Sequence, residues 1–229
     1  MNHNVYVISA GRHDSLNFTE QQKSEYIFCV KNGEGKLYKM SGCKNVYETG
    51  TLMQSRNFAL IHAFDAGKIC VQLSDDLTQV RVNKHPKRGE KVDSYYAISE
   101  IADKLAKTKG VYLIGVPPTD NPFFAKDMVK KNAFCIGDML FIKPSDPRFD
   151  EKLTLKEDYD FTLQHIEKYG VCIRYQKYMW SFKHYDNKGG AVDYRSEIEE
   201  KKNIRYLKAK WGSKIALNPK RKNEIVLKL

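Results

Sequence analysis

The sequence predicts an α/β protein built on a mostly parallel sheet with helices on its faces. Three observations carry this. Short apolar runs such as Val5–Ile8, Ile69–Leu73 and Val111–Val116 recur along the chain. Segments with helical apolar spacing lie between them. Small-residue, Gly or Pro turns close the runs.

Taken in order, Val5–Ile8 is a buried strand stopped by the tight turn Ser9-Ala10-Gly11-Arg12. Thr19-Glu20-Gln21-Gln22 starts a short helix, and Tyr26–Val30 is a second strand followed by a turn at Asn32-Gly33 and Gly35. Met53–Phe64 suits a partly buried helix with Gly67 as its stop. Ile69–Leu73 is a strand that runs directly into Ser74-Asp75-Asp76-Leu77. Ser94 is placed to cap a helix reaching Lys107, with Ile98, Ile101, Ala102 and Leu105 on one face. Val111–Val116 is a strand ended by Pro117-Pro118, and Phe134–Ile142 is strand-like with a break at Gly137-Asp138. Thr154-Leu155-Lys156-Glu157 has the spacing of a capping box for a helix whose stripe is Leu155, Tyr159, Leu163 and Ile166 and whose stop is Gly170. Val171–Tyr175 and Met179–Phe182 are two further strands. Ser196 opens a last helix with Ile204, Leu207 and Trp211 on one side, and the chain beyond it is basic and weakly patterned.

The chain has 229 residues, 41% of them hydrophobic, with 14 Tyr and 11 Phe, which predicts a globular fold. The length fits one domain with an appendage, divided as residues 1–195 and a basic helix and tail over 196–229. No stretch reaches the roughly 18 apolar residues of a membrane span, and the start lacks a basic segment followed by an apolar one. No membrane is expected, and the cytoplasm of whatever cell produces the chain is the expected location. The five cysteines have no zinc-type spacing and read as buried free thiols. The net charge is +11; the residues from Lys201 onward hold ten Lys or Arg against Glu224 alone, or +9, leaving +2 for the first 200. That asymmetry points to a polyanion near the C-terminal end.

Asp75 and Asp76 follow a buried strand, where α/β sheets bind their ligands. Adjacent carboxylates repel, so a cation belongs beside them, and Mg²⁺ or Mn²⁺ shared with phosphates fits; a turn capping a helix at Leu77 is the alternative. Ser55-Arg56-Asn57 opens the preceding helix, where an Arg beside free N–H groups suits a pyrophosphate. Ser9, Ala10, Gly11 and Arg12 end the first strand on the same edge and offer a seat for a nucleotide.

The stretches Leu52-Met53-Gln54-Ser55-Arg56-Asn57, Gln72-Leu73-Ser74-Asp75-Asp76-Leu77 and Lys156-Glu157-Asp158-Tyr159-Asp160-Phe161-Thr162-Leu163-Gln164-His165, with Gly189-Gly190 and Arg195, resemble glycosyltransferases of the GT-A fold. Within that fold they are similar to the bacteriophage TET-associated glycosyltransferases, which modify 5-hydroxymethylpyrimidines in DNA. The resemblance runs from about Val5 to Arg195. It implies a GT-A-like (Rossmann-like) mixed sheet, a UDP-sugar donor with glucose as the expected sugar, Mn²⁺ or Mg²⁺, and inversion at the anomeric carbon. Asp75-Asp76 matches the DxD motif, with Asp76 the metal ligand and Asp75 near ribose or sugar. The sequence departs from a full DxD at Ser74. Lys156-Glu157-Asp158 matches the xED motif; Asp158 is the expected general base, while Glu157 is also the fourth residue of the capping box. Asp160 is expected to face elsewhere. His184 matches the C-terminal His that completes the metal sphere, and Lys188 with Gly189-Gly190 reads as a flexible loop able to close over the donor phosphates; a surface histidine and an ordinary turn are the alternatives.

Lys201, Arg205 and Lys208 recur on one face of the last helix and are the expected DNA phosphate contacts, with Lys84-His85-Pro86-Lys87-Arg88 a second basic loop. Tyr175, Tyr178 and Trp180 are placed either to stack on a base or, more simply, in the core. The competing readings are a glycan, lipid or protein acceptor, a nucleotidyltransferase, and a non-catalytic DNA-binding protein. Oligomeric state is left open.

Overall fold

A computed structural model describes residues 1–183 and 195–229. Its centre is an eight-stranded mixed sheet. In chain order the elements are β1 (His3–Ser9), α1 (Glu20–Glu25), β2 (Ile27–Val30), α2 (Gly35–Met40), β3 (Asn45–Glu48), α3 (Leu52–Asp65) and β4 (Ile69–Ser74). There follow β5 (Leu77–Lys84), β6 (Lys87–Val92), α4 (Ser94–Lys107), β7 (Leu113–Gly115), β8 (Val129–Lys131) and β9 (Met139–Ile142). The chain continues with α5 (Glu157–Tyr169), β10 (Ile173–Tyr175), β11 (Tyr178–Phe182), α6 (Glu197–Trp211), β12 (Ile215–Leu217) and β13 (Ile225–Leu227).

The strand order is β3-β2-β1-β4-β9-β7-β10-β8. The first four strands are parallel, as the helical crossovers between them require. β9 enters antiparallel to both β4 and β7, and β8 closes the sheet antiparallel to β10. Burial on both faces follows from the period of two. Val5 and Val7, Val71 and Leu73, and Met139 and Phe141 face one side, where they meet Ile98, Ile101 and Leu105 of α4. Tyr6, Cys70, Leu140 and Ile142 face the other, against Leu60 and Ala63 of α3 and Phe161 of α5. All five cysteines are buried and free.

Several sequence expectations need correction. β9 covers only Met139–Ile142, since the chain before Gly137-Asp138 is not strand. α4 is capped by Asp93, which accepts from the Tyr95 N–H. The capping box before α5 does not form. The cap position is Lys156, left-handed at φ 62°, with no side-chain cap bond. The Thr154 hydroxyl instead donates to Glu199, and both the Thr154 and Leu155 N–H groups donate to Asn203 Oδ1. A buried ion pair claims Glu157, as described below. The three-stranded sheet β11-β5-β6 and the hairpin β12–β13 were not foreseen. α6 packs on α5 through a third apolar cluster containing Leu153, Leu163, Ile204 and Leu207. Tyr175, Tyr178 and Trp180 are core residues. No helix among the described residues is long and apolar enough to cross a membrane.

Candidate active site

The carboxyl ends of β1 and β4 define one edge of the sheet. Because β9 is antiparallel, its first residues reach that same edge, and the Ser74 N–H donates to the Asp138 carbonyl at 2.8 Å. α5 begins there too: the Gly137 N–H donates to Asp158 Oδ2 at 3.0 Å. Four segments distant in sequence therefore meet, as the strand-end rule anticipates.

On one side of this edge lies Asp75. Its Oδ1 accepts from Arg12 Nη1 at 2.5 Å, and its Oδ2 accepts from Ser9. The Ser9 hydroxyl also meets the Tyr38 hydroxyl at 2.5 Å, and Tyr38 accepts from the Arg12 N–H. Burial pushes the Asp75 carboxyl up to about 6, with Arg12 acting in the opposite direction. Gly11 has φ 69°, and its N–H donates to Glu34. Asp75 and Asp76, with Asp14, Asn17, Thr78 and Lys183, line a cleft of about 480 Å³.

On the other side lies a buried polar cluster. Arg56 gives Nη1 to Gln72 Oε1 at 3.0 Å and Nη2 to the Gly137 carbonyl and to Glu157 Oε1, each at 3.0 Å. Gln72 returns a bond to the Arg56 carbonyl, and Phe149 lies 5.1 Å beneath the guanidinium. Arg56, expected at a diphosphate, is thus committed to protein acceptors and holds Glu157. Asn57 is likewise committed: its amide exchanges both hydrogen bonds with the Phe149 backbone. Burial raises the Asp158 carboxyl to about 7, reinforced by Glu157 beside it; the Gly137 N–H and Arg56 act against the rise. Its Oδ1 accepts from the Tyr159 N–H. Asp160 points away, as anticipated, and is fully buried against Trp211 Nε1, Lys210 and Gln164.

Between the two sides stand Asp76 and Asp138. Asp76 Oδ1 accepts from the Ser74 hydroxyl at 2.7 Å, and Oδ2 lies 3.9 Å from Arg12 Nη1. Ser74, where a longer acidic motif would carry Asp, orients the carboxylate that remains. Burial lifts the Asp138 carboxyl to about 7; the negative charge of Asp76 adds to the rise, and Arg56 opposes it. Asp138 and Tyr38 are the members that sequence reasoning missed. An acidic residue breaking an apolar run at Gly137-Asp138 was the available signal for Asp138. Tyr38, lying in a short helix, had none.

Among the described residues, no three His, Cys, Asp or Glu side chains form a group that could hold a metal ion by themselves. The donor chemistry still suits a divalent cation that takes its remaining ligands from phosphate, because Asp76 and Asp138 raise the negative charge at one spot. His184, Lys188, Gly189 and Gly190 lie outside the described residues.

Gly137 has no room for a side chain: a Cβ there would sit 2.8 Å from Arg56 Nη2 and 3.3 Å from Glu157 Oε1. Gly137→Ala is expected to cost about 1–3 kcal/mol of stability by forcing that pair apart, read as a lower denaturation midpoint.

The candidate DNA face is less charged than the sequence suggests. Lys201 pairs with Glu197, Lys202 with Glu199, Lys210 with Asp150 and Asp160, Lys214 with Glu167, Arg221 with Glu224, and Lys222 with Glu197. Arg205 and Lys208 are exposed on the same face of α6 as Lys201.

A mostly parallel sheet whose carboxyl edge gathers acidic side chains beside an open cleft defines an α/β enzyme. Its particular kind comes from the comparisons with known proteins: the family model described as TET-Associated Glycosyltransferase matches residues 3–190, and the chain belongs to that family. It is therefore a sugar-transferring enzyme, and modified pyrimidines in DNA are the acceptor class at the level of the family. No curated protein sequence matches the chain. Among solved structures, the crystal structure of A197 from STIV is similar at 11% identity over 98% of this chain and 93% of that one, with a TM-score of 0.45.

Proposed function

We propose that the enzyme moves a hexose, with glucose the expected sugar, from a UDP-sugar to the hydroxyl of a 5-hydroxymethylpyrimidine in DNA, with inversion. The observation that supports this reading is the meeting of Asp76, Asp138, Glu157 and Asp158 at one sheet edge, with Arg56 holding Glu157. The donor's nucleotide would enter the cleft beside Asp75 and Asp76, where Ser9 and Arg12, from the turn that also carries Ala10 and Gly11, hold the Asp75 carboxylate. Asp76, with Asp138 next to it, would hold Mn²⁺ or Mg²⁺, which supplies charge neutralisation for the departing diphosphate when bound.

Asp158 is the general base. Its carboxylate accepts the acceptor hydroxyl's proton while that oxygen bonds to the anomeric carbon. The anomeric C–O bond breaks, and its electron pair leaves with the nucleoside diphosphate. Two backbone N–H groups, of Gly137 and Tyr159, favour the charged form that the step needs. Positioning and leaving-group stabilisation supply most of the acceleration for so weak a nucleophile.

The test is incubation with Mn²⁺, a panel of nucleotide sugars and DNA carrying 5-hydroxymethylcytosine or 5-hydroxymethyluracil, followed by nucleoside mass analysis. A hexose gain with one donor is expected from the native enzyme and is expected to vanish in Asp76→Asn. No gain with any combination removes the DNA acceptor from the reading.

A further inference from the structure

A second concave site lies away from the donor cleft, where the sheet's last strands meet the C-terminal hairpin. It is a cavity of about 370 Å³ whose lining includes Lys130, Phe134, Tyr159, Arg174 and Ile225. Lys130 stands on the outermost strand β8 and Arg174 on β10, and the two are directly opposite in antiparallel register. Residues so paired project from the same face, and like charges there repel. Arg174 is half-buried, and its hydrogen bond among the described residues runs from Nε to Gln176 Oε1 at 2.9 Å. No carboxylate among the described residues pairs with either cation. A partly desolvated arginine beside a lysine, neither of them ion-paired among the described residues, is stabilised when an anion lies between them.

Beside Asn132 and the hairpin residues Ile225, Val226 and Leu227, Phe134 and Tyr159 give the cavity a flat aromatic wall. The Phe134 and Tyr159 rings stack at 4.1 Å and 20°. The Tyr159 hydroxyl is already given to the Ile225 carbonyl, which ties the hairpin to the wall. A ligand with an anionic group and a planar ring fits both halves, and a nucleotide unit is that chemistry.

The cavity also adjoins the proposed base. Tyr159 follows Asp158 on α5, and Phe134 precedes by three residues the Gly137 whose N–H donates to Asp158. One loop and one helical turn are shared by the two sites.

We infer that the cavity between β8, β10 and the β12–β13 hairpin holds a nucleotide of the acceptor strand, its phosphate between Lys130 and Arg174 and its base against Phe134. This rests on the DNA reading above and names where the strand is gripped. The basic face of α6 is then an outer contact.

The test is the salt dependence of affinity for a fluorescent oligonucleotide carrying 5-hydroxymethylcytosine, measured for the native enzyme, Lys130→Ala, Arg174→Gln and Arg174→Lys. Lys130→Ala and Arg174→Gln are each expected to weaken binding roughly three- to tenfold and to lower the slope of log affinity against log salt by about one, while Arg174→Lys recovers most of the slope. Lys130 is exposed on an edge strand, so its variant serves if Arg174→Gln fails to fold by circular dichroism. Excess uridine diphosphate is expected to leave the oligonucleotide bound; displacement would assign the cavity to the donor and overturn the inference. Native affinity and slope in Lys130→Ala and a folded Arg174→Gln also overturn it, even where the native enzyme transfers sugar to DNA. If the native enzyme transfers no sugar while the variants still lose slope, the cavity stands and the acceptor reading of the catalytic edge falls.

Discussion

Asp158→Asn is expected to lower kcat for sugar transfer by about 10²–10⁴-fold while leaving nucleotide-sugar binding near native, measured by single-turnover kinetics and calorimetry. The amide keeps the hydrogen bond from the Gly137 N–H through its carbonyl oxygen but cannot take a proton from the acceptor. The pH profile carries the same assignment. A carboxyl raised to about 7 is mostly protonated, and idle as a base, below that pH, so kcat/KM is expected to climb with pH through about 7 in the native enzyme. Bound cation is expected to move the midpoint downward by opposing the negative charge around it. Stability follows the opposite course. Asp75, Asp138 and Asp158 bind protons more tightly in the folded chain than in the unfolded one, where carboxyls titrate near about 4. Between about pH 4 and 7 the folded state therefore holds more protons, and stability from these groups declines as pH rises across that window. Added Mn²⁺ is expected to raise the thermal midpoint most at the upper end of the window.

Arg56→Met is expected to be the most destabilising single change at the site, costing about 3–5 kcal/mol. It removes the partner of Glu157 and leaves that carboxylate among Asp158 and Asp138, with the Gln72 and Gly137 oxygens each short of a donor. For a chain of this length the midpoint should fall by roughly 10 °C, measured by calorimetry. A diphosphate ligand in place of those protein acceptors would predict something different: a raised KM for the donor with the midpoint nearly unmoved. The double change Arg56→Met with Glu157→Leu is expected to recover much of the loss, since an apolar pair strands no charge.

Much of this architecture was legible in the residues. Strong periodicity identified β1, β4, α3 and α4 within a residue or two, and Asp75-Asp76 was placed at the end of β4 by chain order alone. Two failures nearest the site share a cause: each depended on a partner far along the chain. The expected cap at Thr154 gave way because Asn203 and Glu199 reach its backbone and hydroxyl, and nothing local announces them. Arg56 looked free at a helix start until β9 and α5 supplied its acceptors. The hairpin of β5 and β6 was, by contrast, readable in principle, since Val80 and Val82 alternate with polar residues up to the turn at His85-Pro86. The +9 of the C-terminal segment could not reveal that six of its ten cations answer carboxylates.

The seating of α6 bears on how small the enzyme can be made. Asp160 has no exposure, and its carboxylate is held by Trp211 and Lys210, while Glu200 holds Lys156 at the turn into α5. A fragment ending near residue 195 would uncover that carboxylate, turn Leu153 and Leu163 toward water and loosen the very bend that aims Asp158. Shortening the chain from that end trims the support of the catalytic helix, and the product should behave as a sticky, inactive remnant.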